Sequence, residues 1–188
     1  MGEGIPKGKG DSIGSPDMFK QEDLILLNMA GVGKKTLEKL AKSGLQRKLA
    51  DIQKEHNLDN ELRLIKKYDV DIMTIFDNNY PKLLKDIHSP PIVLYSKGEP
   101  LKEDEIMIAI VGSRFASTYG LTIAERLGYE LASKGIVVVS GLARGVDSAA
   151  HKGALKAYGR TIAVLGNGLK SVYPPENKKL AAEIVEKG

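Results

Sequence analysis

An unbroken apolar run, Ile106 to Val111, ends abruptly at Gly112-Ser113-Arg114, and this junction constrains the fold more than any other stretch. A strand covered on both faces reads as a continuous apolar run, because it has no solvent side with which to alternate. Apolar residues then recur at Leu121, Ala124, Leu127, Leu131 and Ala132, the three-and-four spacing of a helix with one buried face. Gly135 stops that helix, and a second apolar run follows from Ile136 to Val139. Strand, helix and strand at this separation predict a right-handed parallel unit. Two loops, Gly112-Ser113-Arg114 and Ser140-Gly141-Leu142-Ala143-Arg144-Gly145, then leave the carboxyl ends of neighbouring strands. That edge is where open α/β sheets hold ligands.

Each loop combines small residues with one arginine. Glycines let a ligand approach backbone N–H groups, and a guanidinium adds charge and a bidentate fork. The pair therefore points to an anionic ligand, against the plainer reading of glycines that merely close βα corners. No G-x-G-x-x-G lies between Val111 and Tyr119, and no G-x-x-x-x-G-K-[ST] occurs anywhere, which argues against the usual dinucleotide or nucleoside-triphosphate site. Arg114 is the leading candidate, placed to aim its fork into the cleft. Ser113 either donates to the same phosphate or caps the following helix. Phe115 and Tyr119 are candidates for stacking on bases. With aromatics at 5% of the chain and no Trp, at least one of them is expected in the core. Arg144 either contacts phosphate or pairs with Asp147, which is expected to cap the next helix rather than act as a base. His151 has no Ser or Cys nucleophile placed beside it and is expected to satisfy a hydrogen bond. His56 and His88 lie in unrelated segments, so no three-His metal site is expected.

Downstream, Asp147 to Ala157 reads as a helix packed through Ala149, Ala150, Ala154 and Leu155. A third buried strand, Thr161 to Leu165, runs into Gly166-Asn167-Gly168, a third small loop at the same edge. Lys152 and Lys170 are placed to add a basic rim, and Tyr173 to shape the cleft floor. A helix opened by Pro175 extends to about Glu186, and Gly188 is expected to lead into a fourth strand. Three parallel strands make half of a doubly wound sheet and leave one edge exposed.

Three strings carry a specific resemblance: IAIVGSRFASTYG, VVVSGLARGVDSAAHKGAL and GRTIAVLGNGLKSVYPPENKKL. In this order and spacing they resemble the DNA-processing protein A family, DprA, also called Smf. A preceding segment, Asp77 to Gly98, is similar to that family's D-x-x-YP-x-x-L…PP-x-x-LY-x-x-G; its Tyr and Pro residues are expected to pack against the sheet. The resemblance implies an extended Rossmann-like core, binding of single-stranded DNA, loading of the RecA recombinase in natural transformation, a homodimer, and no catalytic activity or cofactor. Gly112, Ser113, Arg114, Phe115, Tyr119, Ser140, Gly141, Arg144, Gly145, Gly166, Gly168 and Lys170 form the expected DNA and phosphate site. Members of the family continue well past the equivalent of Gly188, so this chain reads as the N-terminal part of such a protein. Its DNA site is then expected to be incomplete, and its exposed edge able to pair with another copy.

Ahead of this core, residues 1–18 are rich in Gly, Pro, Ser and Lys and are expected to be disordered. Residues 19–68 read as a small helical domain of helix-hairpin-helix or SAM-like type. Leu24 to Leu27, the turn Gly31-Val32-Gly33 and the segment from Thr36 to Lys42 carry the pattern. Such a turn can hold a DNA phosphate at the second helix's N-terminus without reading bases, which makes Gly31, Gly33, Lys34 and Lys35 candidate contacts. Lys34, Lys35, Lys39, Lys42, Arg47 and Lys48 face only Glu38 between Gly31 and Lys48; the alternative is an ordinary solvated basic face. A further helix is expected from Leu58 to Lys67, then a connecting segment with short strands over 69–100, and the Rossmann-like core over 101–188. The chain as a whole is α/β.

Net charge is only +4, so any nucleic-acid argument rests on where charges sit. The absence of cysteine excludes disulfides, thiolate metal sites and Cys nucleophiles. No apolar run is long enough for a membrane helix and no secretory signal is seen, so a cytoplasmic protein without membrane contact is expected. Two other functions compete with single-strand binding. One is a Rossmann-like nucleotide N-glycosidase, whose P-G-G-x-G-T-x-x-E string does not occur here; the carboxylates nearest the loop edge are Glu125, Glu130 and Glu176. The other is an interaction or architectural module.

Overall fold

The computed structural model describes residues 19–42, 45–102 and 104–188, so the tail expected over 1–18 lies outside the described residues. The chain forms two compact units, one from residues up to Leu62 together with Ile72–Tyr95, the other from Arg63–Asp71 and Ser96–Gly188. Among the described residues, no helix is long and apolar enough to cross a membrane.

The first unit opens with α1 (Gln21–Met29), α2 (Lys34–Lys42) and α3 (Leu45–Glu55). Leu24, Ile25, Leu26 and Leu27 are all buried, so α1 is covered nearly all round rather than along one stripe. The turn between α1 and α2 places Gly31 at φ +70°, with Val32 N–H bonding back to the Leu27 carbonyl at 3.0 Å. The sequence pattern accounted for α1 and α2 but missed α3, which packs against both through Leu49 and Ile52. Helix α4 (Leu58–Tyr68) follows, then β1 (Asp71–Thr74), the short α5 (Lys82–Lys85) and β2 (Val93–Ser96); β1 and β2 pair in a two-stranded sheet. Tyr80, expected to pack against a sheet, is buried inside this unit with its hydroxyl donating to the Pro91 carbonyl at 2.7 Å.

The second unit is built on β3 (Met107–Ala109), β4 (Val137–Ser140) and β5 (Thr161–Ala163), parallel and in the order β3-β4-β5. Met107 stands opposite Val137, and Val138 opposite Thr161. Helix α6 (Thr118–Ala132) joins β3 to β4, α7 (Val146–Lys156) joins β4 to β5, and α8 (Lys178–Lys187) ends the chain. Ala132, Val138, Ala150 and Ala154 form one core cluster, with Ile110 and Leu131 against it. Small residues let the helices approach closely: a Cβ at Gly128 would fall on the Ala150 carbonyl, and one at Gly153 on the Glu125 carbonyl. Leu142, Leu180 and Ile184 form a second cluster beside it.

Two expectations of strand burial are overturned. The third run, expected as a buried strand from Thr161 to Leu165, forms β5 only over Thr161–Ala163, with Val164 62% and Leu165 40% exposed. The first run is more open still. The run Ile106–Val111 does not form a strand buried on both faces, since Ile106 is 66% and Val111 72% exposed and every residue of β3 is open to solvent. β3 is an edge strand of the sheet, paired on one side only, and Ile110, just past its end, is partly buried against the core cluster. An apolar pattern records the surroundings a strand is suited to, and here those surroundings are supplied on one side.

Candidate functional site

The site begins where β4 ends. Ser140 is 3% exposed and its hydroxyl donates to the Ile110 carbonyl at 2.6 Å, so it fastens β4 to the end of β3 rather than facing a ligand. The chain then turns through Leu142, a non-glycine residue at φ +56°. That conformation is unfavourable for an L-residue and persists only where its surroundings enforce it. Here the Leu142 side chain is fully buried against Leu180 and Ile184, and its carbonyl accepts from Asn177 Nδ2 at 2.7 Å. Asn177 also donates to Ser148 Oγ at 2.8 Å, and Ser148 donates to the Ala143 carbonyl at 2.5 Å.

Asp147 acts differently from its expected role as a cap. It lies inside the first turn of α7 and its Oδ2 reaches back to accept from the N–H groups of Gly141 at 3.1 Å and Ala143 at 3.3 Å. The residue at the cap position is Gly145, at φ +78°, where a Cβ would fall on the Ser113 carbonyl. The same carbonyl accepts from Val146 N–H at 3.2 Å. The loop after β3 and the loop after β4 are therefore joined backbone to backbone.

Ser113 does not cap α6. Its Oγ accepts from Phe115 N–H at 3.1 Å in a local turn, and Ser117 is the cap, accepting from Gly120 N–H at 3.2 Å. Neither Phe115, 91% exposed, nor Tyr119, 76% exposed, joins the core, contrary to expectation. Both lie where the chain leaves the edge strand and enters the solvent side of α6.

Around these loops is a cleft of about 330 Å³. Of the residues singled out in the sequence, Arg114, Gly141, Arg144, Gly166 and Tyr173 line it; Ala143, Asn167 and Pro174 complete the wall. Asn167 is not among the residues the sequence singles out, although its place between two glycines at the sheet edge is a usable signal. Gly112, Ser113, Phe115, Tyr119, Gly145, Gly168 and Lys170 are outside the lining. The Tyr173–Pro174 peptide in the wall is cis.

The two arginines differ electrostatically. Arg144 pairs with Glu176, thirty-two residues away, not with Asp147; its Nε meets Glu176 Oε1. This contact holds the Glu176 carboxyl below its ordinary range and raises the guanidinium, with Tyr173 adding to the latter. Arg114 makes no salt bridge among the described residues. Glu125 is paired with Lys156 and Glu130 with Arg126, both away from the cleft lining.

His151 is fully buried. The single hydroxyl hydrogen of Thr161 goes to the Val138 carbonyl at 2.7 Å, so at 2.7 Å from Thr161 Oγ1 the imidazole Nδ1 is the donor. Burial pushes its pKa down to about 4, against opposing pulls from Asp147 and the Ser140 backbone. Within the first unit, Lys35 is exposed with Nζ 3.2 Å from His88 Nε2, and Gly31, Gly33 and Lys34 form the turn and start of α2.

The family model described as DNA recombination-mediator protein A matches residues 71–188. A protein Smf from Synechocystis is 36% identical over 90% of this chain, and the chain covers 42% of that relative. DNA processing protein DprA from Bacillus subtilis is 39% identical over 66% of the chain, again covering 42% of the relative. The chain thus spans about two fifths of the length of these proteins. Among solved structures, DNA processing protein A from Streptococcus pneumoniae superposes with a TM-score of 0.63 and 31% identity, over 87% of this chain and 59% of that one. The Helicobacter pylori protein, solved to describe its single-stranded DNA binding mode, gives 0.55 and 34% over 62% of this chain and 53% of that one.

Proposed function

Because this chain belongs to the DNA recombination-mediator protein A family, we propose that its cleft holds the phosphate backbone of single-stranded DNA. The observation that carries this reading is the convergence of two guanidinium groups, Arg114 and Arg144, from two different strand-end loops on one glycine-walled cleft. Guanidinium forks suit phosphate oxygens, and the nearby backbone can be approached closely at Gly141 and Gly166. Phe115 and Tyr119 offer exposed rings on which bases can stack without regard to sequence. Ser113, Lys170, Gly112, Gly145 and Gly168 act from the rim or shape the loops. Lys34 and Lys35, beside Gly31 and Gly33, add a separate phosphate contact from the helical hairpin. Binding is then blind to sequence and sensitive to salt.

The same reading takes the whole protein to be a homodimer that protects incoming DNA and passes it to the RecA recombinase. It gives the cleft no catalytic role: Arg144 occupies Glu176, Glu125 is paired across to Lys156 of α7, and Glu130 is paired with Arg126 along α6. The test is binding of single-stranded DNA by this chain at two salt concentrations, beside a double-stranded control. Salt-sensitive binding that favours the single strand is expected. No binding at low salt, or equal binding of duplex, would overturn the assignment of this cleft.

A further inference from the structure

We infer that Glu176 is an internal competitor of the DNA: its carboxylate takes the place on Arg144 that a phosphate oxygen of the bound strand would take. The inference rests on the reading of the cleft as a backbone site and adds to it a brake on affinity. A carboxylate and a phosphate present similar oxygen geometry to a guanidinium, so the two compete for one fork.

The carboxylate is delivered to Arg144 by a fixed element. Glu176 is the middle residue of a short 3₁₀ turn, Pro175–Asn177, whose next residue, Asn177, is bonded to the Leu142 carbonyl and to Ser148 Oγ. That turn is therefore fastened to the same loop that carries Arg144. The pair is nonetheless about half exposed on both sides, at 49% and 50%. Exposed ion pairs are weak, so a phosphate held in the cleft by Arg114 can displace the carboxylate by a rotation of its side chain. As the strand lifts away, Glu176 recaptures Arg144. A strand held in this way exchanges instead of being locked down.

The test is a double-mutant cycle on this chain, with a short oligothymidylate as probe and thermal unfolding as a check that each variant is folded. Glu176→Gln keeps the shape and removes the charge. It should tighten binding by roughly 1.4- to 5-fold, the range expected for release of an exposed ion pair. In an Arg144→Ala background the same substitution should gain nothing, because there is no fork left to release. An equal gain in that background would reduce Glu176 to a general negative charge near DNA and overturn the inference. Weaker binding by Glu176→Gln would do so too, making Glu176 a residue that positions Arg144. If wild type binds tightly and only the cycle fails, the backbone site stands without its competitor; if no protein binds the oligonucleotide, both readings fall.

Discussion

The side-chain amide of Asn177 donates to the carbonyl of Leu142 at 2.7 Å, and Leu142 is the buried residue at φ +56° that turns the chain after β4. Neither feature is separable from the other. The hydrogen bond and the buried Leu142 side chain together hold a backbone conformation that an isolated loop would not keep.

Replacing Asn177 by Ala should therefore destabilise the second unit by roughly 1–3 kcal/mol, the cost of leaving buried partners unsatisfied. A fall in the urea midpoint without a change in slope checks it. Weaker binding of single-stranded DNA should accompany the loss, since the loop carrying Arg144 loses its anchor.

Arg114→Glu should leave thermal stability nearly unchanged, because Arg114 is exposed and without a salt bridge among the described residues. Its effect should fall on binding, with a loss of roughly tenfold or more and a shallower dependence on salt by about 0.7 for each phosphate contact removed. Wild-type affinity in this variant would take Arg114 out of the site.

Acid should weaken the fold through His151. In the folded chain burial holds its pKa at about 4, whereas in the unfolded chain it titrates near the ordinary value of 6.5. The unfolded state thus binds the proton more readily, so stability rises with pH across this window. The contribution is complete above pH 6.5, diminishes as pH falls toward 4, and is gone below it. At most it amounts to about 3 kcal/mol. Urea unfolding of wild type and His151→Gln between about pH 7 and pH 4 should show a flatter dependence in the variant.

Gly145→Ala should be worse than Gly135→Ala, although both glycines have positive φ, +78° and +75°. At Gly135 a Cβ meets open space, and only the backbone penalty of roughly 1–2 kcal/mol applies. At Gly145 the methyl group would strike the Ser113 carbonyl and push the two loops apart. The drop in melting temperature should be larger there and should come with lost DNA affinity.

The βαβ unit and its loop edge were legible because apolar runs and three-and-four spacing are local properties, and both survive folding. The convergence of Arg114 and Arg144 followed from parallel topology alone. The partner of Arg144 did not: a search three residues along finds Asp147, while the contact made is with Glu176 beyond another strand. Ser140 looked like a ligand contact by position, and only the approach of Ile110 shows its hydroxyl to be committed. Helix α3 was missed despite a legible signal, Leu45, Leu49 and Ile52 at helical spacing in an otherwise polar segment. The exposure of β3 was legible only as an open sheet edge, because a sequence pattern does not say which of a strand's faces will be covered.

The backbone contact of Gly128 with Ala150, and of Gly153 with Glu125, has a thermodynamic consequence at the other end of the helices. Helix α6 starts just after Arg114 and α7 just after Arg144, so interlocked helices hold both arginine loops at a set spacing before any ligand arrives. Little ordering entropy is then lost by the protein when a strand binds, and the ordering cost falls mainly on the DNA. Wedging the helices apart with Gly128→Leu should loosen that spacing and make association more costly in entropy without replacing any phosphate-binding side chain.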